Sequence, residues 1–244
     1  KLLTRSLSGL VFVSVLIFSI LYSKITFICL FFSLMMLCLY EFKRMIALKS
    51  VFPYLIGCLF FVFGNILNVE DIPARIIFEY VGVALFLTIF ITFASILFAK
   101  KEEVISHLGK IFLSVIYIVV PFTLMVQIPF LNASFNYVNS TILGVFILIW
   151  VNDSFAYLIG KNLGKHKLLE RISPNKTIEG FMGGMLFTFI ASFILTNQFT
   201  SLTQTQWLVI AGIVSIFGVL GDLIESMFKR QAGVKDSSNF IPGH

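Results

Sequence analysis

Two carboxylates, a hydroxyl and an ammonium group recur at helical spacing near the end of the chain. Asp222, Glu225, Ser226 and Lys229 stand at positions i, i+3, i+4 and i+7, so they share one face of an α-helix. A carboxylate near the C-terminal end of a helix opposes the helix dipole, and placing one in a membrane span costs about 2.5–3.5 kcal/mol on insertion scales. We therefore interpret this face as a functional site rather than as a membrane anchor.

A second polar cluster lies in the preceding part of the chain, within another apolar segment. Asp153 and Tyr157 are four residues apart and share a helix face. A single Asp in such a place is also compatible with a polar contact between packed helices. Because Asp153 lies as near to the end of its apolar segment as Asp222 does, we expect the two carboxylates to belong to one site.

The third cluster, at residues 173–177, has the pattern of a helix start. Ser173 is a typical N-cap residue, and the proline that follows suits the first helical position. Free N–H groups at a helix N-terminus bind phosphate, and Lys176 adds a full positive charge. We therefore predict a helix that begins at Ser173 and presents Asn175, Lys176 and Thr177 to an anionic substrate.

Carboxylates beside a phosphate-binding segment indicate chemistry on phosphate groups. Oxygen ligands without clustered histidines favour Mg²⁺, which commonly bridges protein carboxylates and substrate phosphates. The three cysteines have spacings that suit neither a metal site nor a disulfide framework. The expected reaction is phosphoryl or nucleotidyl transfer, and one substrate is expected to be a lipid because the site lies at the membrane boundary.

The elements that must position these groups are membrane-spanning helices. Hydrophobic residues make up 58% of the chain and charged residues 12%, with a mean hydropathy of +0.98, which predicts an integral membrane protein. The apolar runs are continuous rather than alternating, which excludes a β-barrel. We predict an all-α polytopic protein with eight transmembrane helices near residues 7–22, 25–39, 51–67, 76–98, 111–130, 138–159, 178–196 and 207–227.

The basic residues predict the orientation of these helices. Of the 18 Lys and Arg residues, 16 fall in alternate connections on one side of the predicted membrane. The positive-inside rule places that side, both termini and all three polar clusters in the cytoplasm. We expect a multi-pass protein of the inner membrane, with about five helices in residues 1–137 and the functional motifs in residues 138–244.

From residue 150 onward the sequence resembles the phosphatidate cytidylyltransferases, or CDP-diacylglycerol synthases. The places of the family's C-terminal signature are occupied here by Ser226, Phe228, Lys229, Arg230, Lys235, Asp236, Ser238, Pro242, Gly243 and His244. Residues 153–157, 164–167 and 173–180 also resemble family motifs, although Ser154, Phe155 and Ile178 replace the usual Thr, Gly and Trp. The family pattern continues past His244, so we expect the chain to be truncated at its C-terminus.

The resemblance implies transfer of the cytidylyl group of CTP to phosphatidic acid, giving CDP-diacylglycerol and pyrophosphate. It also implies that Asp222 belongs to a two-cation site. We therefore expect Mg²⁺ and a second cation, with Glu225 and Asp236 as further metal ligands and Lys176 at the nucleotide phosphates. The expected substrate-binding residues are Asp153, Tyr157, Ser173, Asn175, Thr177, Ser226, Lys229, Arg230, Lys235 and His244, with Lys229 and Arg230 at the lipid headgroup.

Two other functions remain open at this stage. A CTP-dependent lipid kinase would release CDP instead of pyrophosphate. A transporter of anionic lipid or nucleotide would need polar groups near the bilayer midplane, whereas here they gather at one boundary. The bilayer, CTP and phosphatidic acid are the expected partners, and no nucleic acid is expected. Gly180 and Gly184 form a GxxxG pair that favours helix packing and permits a homodimer.

Overall fold

The computed structural model describes residues 2–66, 104–131 and 136–234 of the chain. The described helices are α1 (Leu2–Tyr22), α2 (Lys24–Met45), α3 (Phe52–Ile66), α4 (Val104–Ser114), α5 (Val120–Gln127), α6 (Asn139–Leu163), α7 (Ile178–Gln198) and α8 (Gln204–Gln231). A π-helical turn, Val115–Val119, joins α4 to α5, and a 3₁₀ turn, Ile128–Phe130, follows α5. Strands β1 (Lys167–Leu169) and β2 (Ser173–Thr177) form a hairpin between α6 and α7.

Apolar helices long enough to cross a membrane dominate the described residues. Five segments meet both conditions, namely Lys24–Met45, Ile105–Phe130, Asn139–Leu163, Ile178–Gln198 and Gln204–Gln231. Shorter apolar helices cover Ser8–Tyr22 and Phe52–Val62. The prediction of an all-α membrane protein is confirmed, with one short hairpin added to it. The predicted span at residues 76–98 lies outside the described residues, so the count of eight spans and their orientation stay predictions.

The described residues form two compact units that divide between Tyr137 and Val138. In the first unit, α2 buries Phe27, Phe31 and Met35, whose spacing of four places them on one helix face. The Tyr137 hydroxyl donates a hydrogen bond of 2.8 Å to the carbonyl of Ile20. Burial raises the pKa of Tyr137 to about 12, so this phenol stays protonated and remains a donor.

In the second unit, α6, α7 and α8 pack around a buried indole. Trp207 has no exposed surface, and its neighbours in the core are Leu148, Leu195 and Ala211. Gly144 of α6 faces the indole so closely that a Cβ atom there would overlap the ring. A capping box of Thr203 and Gln206 fixes the start of α8. Together these contacts set the position of α8 against α6.

Small residues bring α6 and α7 into close contact near the hairpin. Gly180 and Gly184 are both buried. A Cβ atom at Gly180 would lie 2.7 Å from the carbonyl oxygen of Ala156, and one at Gly184 would lie 2.8 Å from that of Asn152. The predicted role of the GxxxG pair in helix packing is therefore confirmed. Because α6 of the same chain covers these glycines, they give no support to the homodimer that the GxxxG pair would permit.

The predicted helix start at Ser173 is wrong. Residues Ser173–Thr177 form β2, which pairs antiparallel with β1 so that Leu169 lies opposite Ser173. The N-cap of α7 is Thr177, four residues later than the predicted N-cap, and its Oγ accepts a 3.1 Å hydrogen bond from the Gly180 N–H. Pairing with β1 satisfies the extended backbone, and Thr177 is the cap next to the apolar run. The local signal at Ser173 is therefore overridden by a strand pairing.

Candidate active site

A pocket of about 700 Å³ lies in the second unit. Its walls come from α6, the hairpin, the first turn of α7 and the middle of α8. The lining includes Asp153 and Tyr157 from α6, Lys176 from β2 and Asp222 from α8. The structure thus brings residues from all three polar clusters together. The expected substrate-binding residues Ser173, Asn175 and Thr177 line the same pocket.

Helix α6 supplies a polar edge of the pocket. Asp153, Tyr157 and Lys161 follow one another at intervals of four residues, so they lie on one helix face. Asn152, next to Asp153, is 2% exposed and lies against α7, where its Oδ1 is 3.4 Å from the Thr188 hydroxyl, whose shorter hydrogen bond goes to a carbonyl of its own helix. Buried on α7 in this way, Asn152 turns the neighbouring carboxylate of Asp153 toward the pocket.

Two of these lining residues were missed in the sequence analysis, Lys161 and Asn152. The spacing of Lys161 from Tyr157 is the signal that could have identified it, because an interval of four residues continues the face that carries Asp153. Sequence alone gave no comparable sign for Asn152, since its burial depends on the contact with α7.

A carboxylate in the first turn of α7 fixes the hairpin from one side. Glu179 accepts hydrogen bonds from the backbone N–H groups of Lys165 and His166, at 3.1 and 3.2 Å from Oε2. Its Oε1 atom also lies 2.6 Å from Nδ1 of His166. These bonds tie the loop after α6 to the start of α7. Because the hairpin connects those two segments, Glu179 holds the residues before β1 close to the helix that follows β2.

The ammonium group of Lys176 forms an ion pair with the carboxylate of Asp222. Asp153 also interacts electrostatically with both of these groups. The Asp222 side chain is 55% exposed and that of Lys176 is 26% exposed, so the pair is open to a ligand in the pocket. The carboxylate of Asp222 therefore already binds one positive charge, the ammonium group of Lys176, and it is placed to bind a cation in the pocket.

The remaining expected residues of α8 have other neighbours. Glu225 pairs with Lys229 at 2.7 Å, and the Arg230 Nε donates a 3.5 Å hydrogen bond to the Ile172 carbonyl at the hairpin turn. Within the described part of the chain, the pocket is not lined by Glu225, Ser226, Lys229 or Arg230. The expected site residues Lys235, Asp236 and His244 lie outside the described residues.

The donor set at the pocket consists of the oxygen ligands that the expected Mg²⁺ ion prefers. Over residues 2–66, 104–131 and 136–234, no group of three or more His, Cys, Asp or Glu side chains could hold a metal ion. The carboxylates of Asp153 and Asp222 nonetheless line one pocket. Mg²⁺ is commonly held by one or two protein carboxylates, with substrate phosphates and water completing its octahedron. The residues present therefore fit Mg²⁺ that enters with a phosphate ligand.

Comparison with known proteins identifies the family. The sequence profile of the cytidylyltransferase family matches residues 3–244. The chain belongs to the cytidylyltransferase family. Phosphatidate cytidylyltransferase of Bacillus subtilis (strain 168) is 36% identical to it over 249 residues, which cover 98% of this chain and 88% of the relative.

Two further relatives of this cytidylyltransferase match it over a shorter stretch. Phosphatidate cytidylyltransferase of Staphylococcus epidermidis is 41% identical over 129 residues, or 49% of each chain. The protein of the same name from Staphylococcus aureus (strain COL) is 49% identical over 105 residues, which cover 42% of this chain and 40% of the relative. These two relatives are thus more similar to the chain than the Bacillus subtilis protein is, but each match covers less than half of it.

The charges of the cytidylyltransferase pocket are balanced. Its lining carries two carboxylates, Asp153 and Asp222, and two ammonium groups, Lys161 and Lys176. The formal charge of these four groups is zero. The side chain of Asn175 also lines the pocket, and it has no hydrogen-bond partner among the described residues. The pocket thus offers polar contacts to a ligand without an excess of either charge.

Proposed function

We propose that this chain transfers the cytidylyl group of CTP to phosphatidic acid, giving CDP-diacylglycerol and pyrophosphate. The observation that carries the proposal is the convergence of Asp153, Lys176 and Asp222 in one pocket on membrane-spanning helices. It is supported by the identity of 36%, over 98% of the chain, to phosphatidate cytidylyltransferase of Bacillus subtilis.

The proposed reaction joins two phosphate groups. An oxygen of the lipid phosphate monoester attacks the α-phosphorus of CTP, and a new phosphorus–oxygen bond forms. The bond from the α-phosphorus to the oxygen that bridges to the β-phosphorus breaks, and pyrophosphate leaves with the electron pair. A phosphate monoester is largely ionised at pH 7 because its second pKa is about 6. The nucleophile therefore needs no strong general base, and the site must chiefly hold two anions together.

The charge balance of the pocket supports the need for a cation. CTP and phosphatidic acid each bring several negative charges to a set of four ionised groups with no net charge. We propose that Asp222 and Asp153 hold Mg²⁺ and that Asp236 adds a ligand. Bound there, Mg²⁺ supplies the charge neutralisation that phosphoryl-group chemistry requires. Lys176 lies against Asp222, from where its ammonium group can bind the nucleotide phosphates.

We further propose that the pocket opens to the cytoplasm at the inner membrane. The hairpin that lines it lies in the connection between α6 and α7, which carries four basic residues. The positive-inside rule assigns such a connection to the cytoplasmic side, where a water-soluble nucleotide is available. Eight spans with both termini on that side are the corresponding arrangement.

The test is product analysis with purified protein in detergent micelles that contain phosphatidic acid, CTP and Mg²⁺. We expect pyrophosphate and CDP-diacylglycerol in equal amounts, and only when phosphatidic acid is present. Formation of CDP instead of pyrophosphate would establish the lipid kinase. Movement of lipid or nucleotide across vesicles without either product would establish the transporter.

The variant Asp222→Asn tests the assignment of the cation site. It keeps the size of the side chain and removes the charge that holds a cation, so we expect Mg²⁺-dependent turnover to fall by about a hundredfold or more, the scale at which single electrostatic groups act in catalysis. The unfolding midpoint in detergent should change little because the side chain is 55% exposed. Turnover close to that of the original protein would refute the role of Asp222.

A further inference from the structure

The last turn of α6 carries a lysine that points to a second phosphate site in the pocket. Lys161 lines the pocket and lies two residues before the end of α6 at Leu163. A lysine in this place is favoured by the helix dipole and by headgroups in general. Neither effect requires its side chain to line a pocket shared with Asp153 and Asp222.

The charge of Lys161 is not neutralised by any carboxylate of the residues that the structure describes. Its ammonium group lies 5.8 Å from the ring centroid of Tyr157, near the limit for a cation–π contact. No carboxylate pairs with it among the described residues, whereas Lys176 pairs with Asp222 and Lys229 with Glu225. Of these three lysines, Lys161 alone therefore has its charge available to an anion in the pocket.

The two pocket lysines differ in their relation to the membrane. Lys161 belongs to the segment Asn139–Leu163, which is long and apolar enough to cross the bilayer. Lys176 belongs to β2 of the hairpin, which lies outside the candidate spans. A lysine in the last turn of a spanning helix reaches the headgroup layer. Lys161 is thus placed for a phosphate that stays attached to a lipid, and Lys176 for one that arrives from water.

We propose that Lys161 binds the phosphate group of phosphatidic acid while Lys176 binds the phosphates of CTP. The inference rests on the proposed function and adds the acceptor subsite to it. It also replaces an expectation from the sequence, because Lys229 and Arg230 were expected at the lipid headgroup. Those two side chains are engaged with Glu225 and the Ile172 carbonyl instead.

The experiment measures initial rates in mixed micelles. The mole fraction of phosphatidic acid is varied at saturating CTP, and CTP is varied at saturating phosphatidic acid, for the original protein, Lys161→Met and Lys161→Arg. The control is Arg171→Met, which removes a positive charge from the exposed hairpin turn without changing the pocket lining. A parallel titration measures binding of short-chain phosphatidic acid to the original protein and Lys161→Met without nucleotide.

We expect Lys161→Met to raise the KM for phosphatidic acid by about tenfold or more, the scale of a charge-assisted hydrogen bond, with the KM for CTP unchanged. Lys161→Arg and Arg171→Met should stay close to the original protein. A rise in the KM for CTP, or no change in either KM, would overturn the proposal. A further series varies phosphatidylglycerol, an anionic lipid, at a constant mole fraction of phosphatidic acid. If Lys161→Met lowers the rates in this series as much as in the phosphatidic acid series, Lys161 acts through general attraction to headgroups and the proposal fails.

The outcome also separates this inference from the proposed function. If the original protein forms no CDP-diacylglycerol, the proposed function fails, and the titration alone tests the subsite. Tenfold weaker binding of phosphatidic acid to Lys161→Met would then still support it, and equal binding would overturn it. Should Lys161→Met not fold, Lys161→Gln takes its place, since the position is exposed and tolerates a polar side chain.

Discussion

Gly180 is the position where the packing of the helices and the pocket meet. It lies in the first turn of α7, is buried, and lines the pocket. A Cβ atom there would lie 2.7 Å from the carbonyl oxygen of Ala156 and 3.0 Å from both the Cα of Gly160 and the Oγ of Thr177. Two of these three atoms are backbone, so they cannot move aside by a change of rotamer. The variant Gly180→Ala must therefore push α7 away from α6.

The expected loss of stability in Gly180→Ala is the sum of two costs and one gain. Overpacking a well-packed contact typically costs about 1–3 kcal/mol. The same shift stretches the hydrogen bond of 3.1 Å from the Gly180 N–H to Thr177, and loss of an N-cap costs about 1 kcal/mol. Against these stands a gain of up to about 1 kcal/mol because Ala is a better helix former than Gly. We expect a net loss of about 1–3 kcal/mol.

The assay is reversible unfolding in detergent, with turnover measured below the transition. The matched control is Gly221→Ala in α8, because a Cβ atom there has no neighbour within 4 Å. That control should keep or raise the stability through helix propensity alone. We expect Gly180→Ala to lower both the unfolding free energy and kcat. If Gly180→Ala is as stable as Gly221→Ala, α6 and α7 do not pack closely enough at Gly180 to exclude a methyl group, and this prediction is refuted.

Two further variants test the scaffold. Glu179→Gln should change the unfolding free energy little, because the His166 side chain of this pair is 74% exposed and exposed ion pairs contribute little. The variant should nonetheless speed hydrogen exchange at the Lys165 and His166 amides, because Glu179 accepts hydrogen bonds from both of them. Unchanged exchange, measured by mass spectrometry, would contradict this role. Trp207→Ala should lower the unfolding free energy by about 3–5 kcal/mol through the cavity that it leaves. An unchanged midpoint in denaturant would show that the indole, which has no exposed surface, is not part of the core.

The membrane helices could be predicted from the sequence because their signal is local. A run of about 20 apolar residues has few alternatives to a spanning helix, and α2, α6, α7 and α8 lie where such runs occur. The hairpin could not be predicted in this way. Its strand β2 has four polar residues and a proline, and it exists because β1 lies beside it. Strand pairing depends on a partner, which the pattern at Ser173 does not reveal.

The site shows the same division between local and long-range information. Helical spacing correctly predicted that Asp153 and Tyr157 share a face, and both line the pocket. It could not decide which carboxylate of α8 reaches that pocket. Glu225 has a lysine one helical turn further on and pairs with it, whereas Asp222 finds Lys176 from another element. Periodicity gives the face of a helix, and only the neighbouring elements decide what each side chain contacts.

Two positions on α8 allow the stability of the fold to be tested separately from the chemistry of the pocket. Trp207 lies in the first turn of α8, and Asp222 follows 15 residues later, about 22 Å along the helix axis at 1.5 Å per residue. A cavity at Trp207 is therefore too distant to alter the contact between Asp222 and Lys176 directly. Gly180, by contrast, lines the pocket itself. Trp207→Ala should thus leave kcat nearly unchanged in protein that is still folded, although it is the more destabilising variant, whereas Gly180→Ala should lower kcat. A matching loss of kcat in Trp207→Ala would mean that α8 does not hold Asp222 as a rigid element.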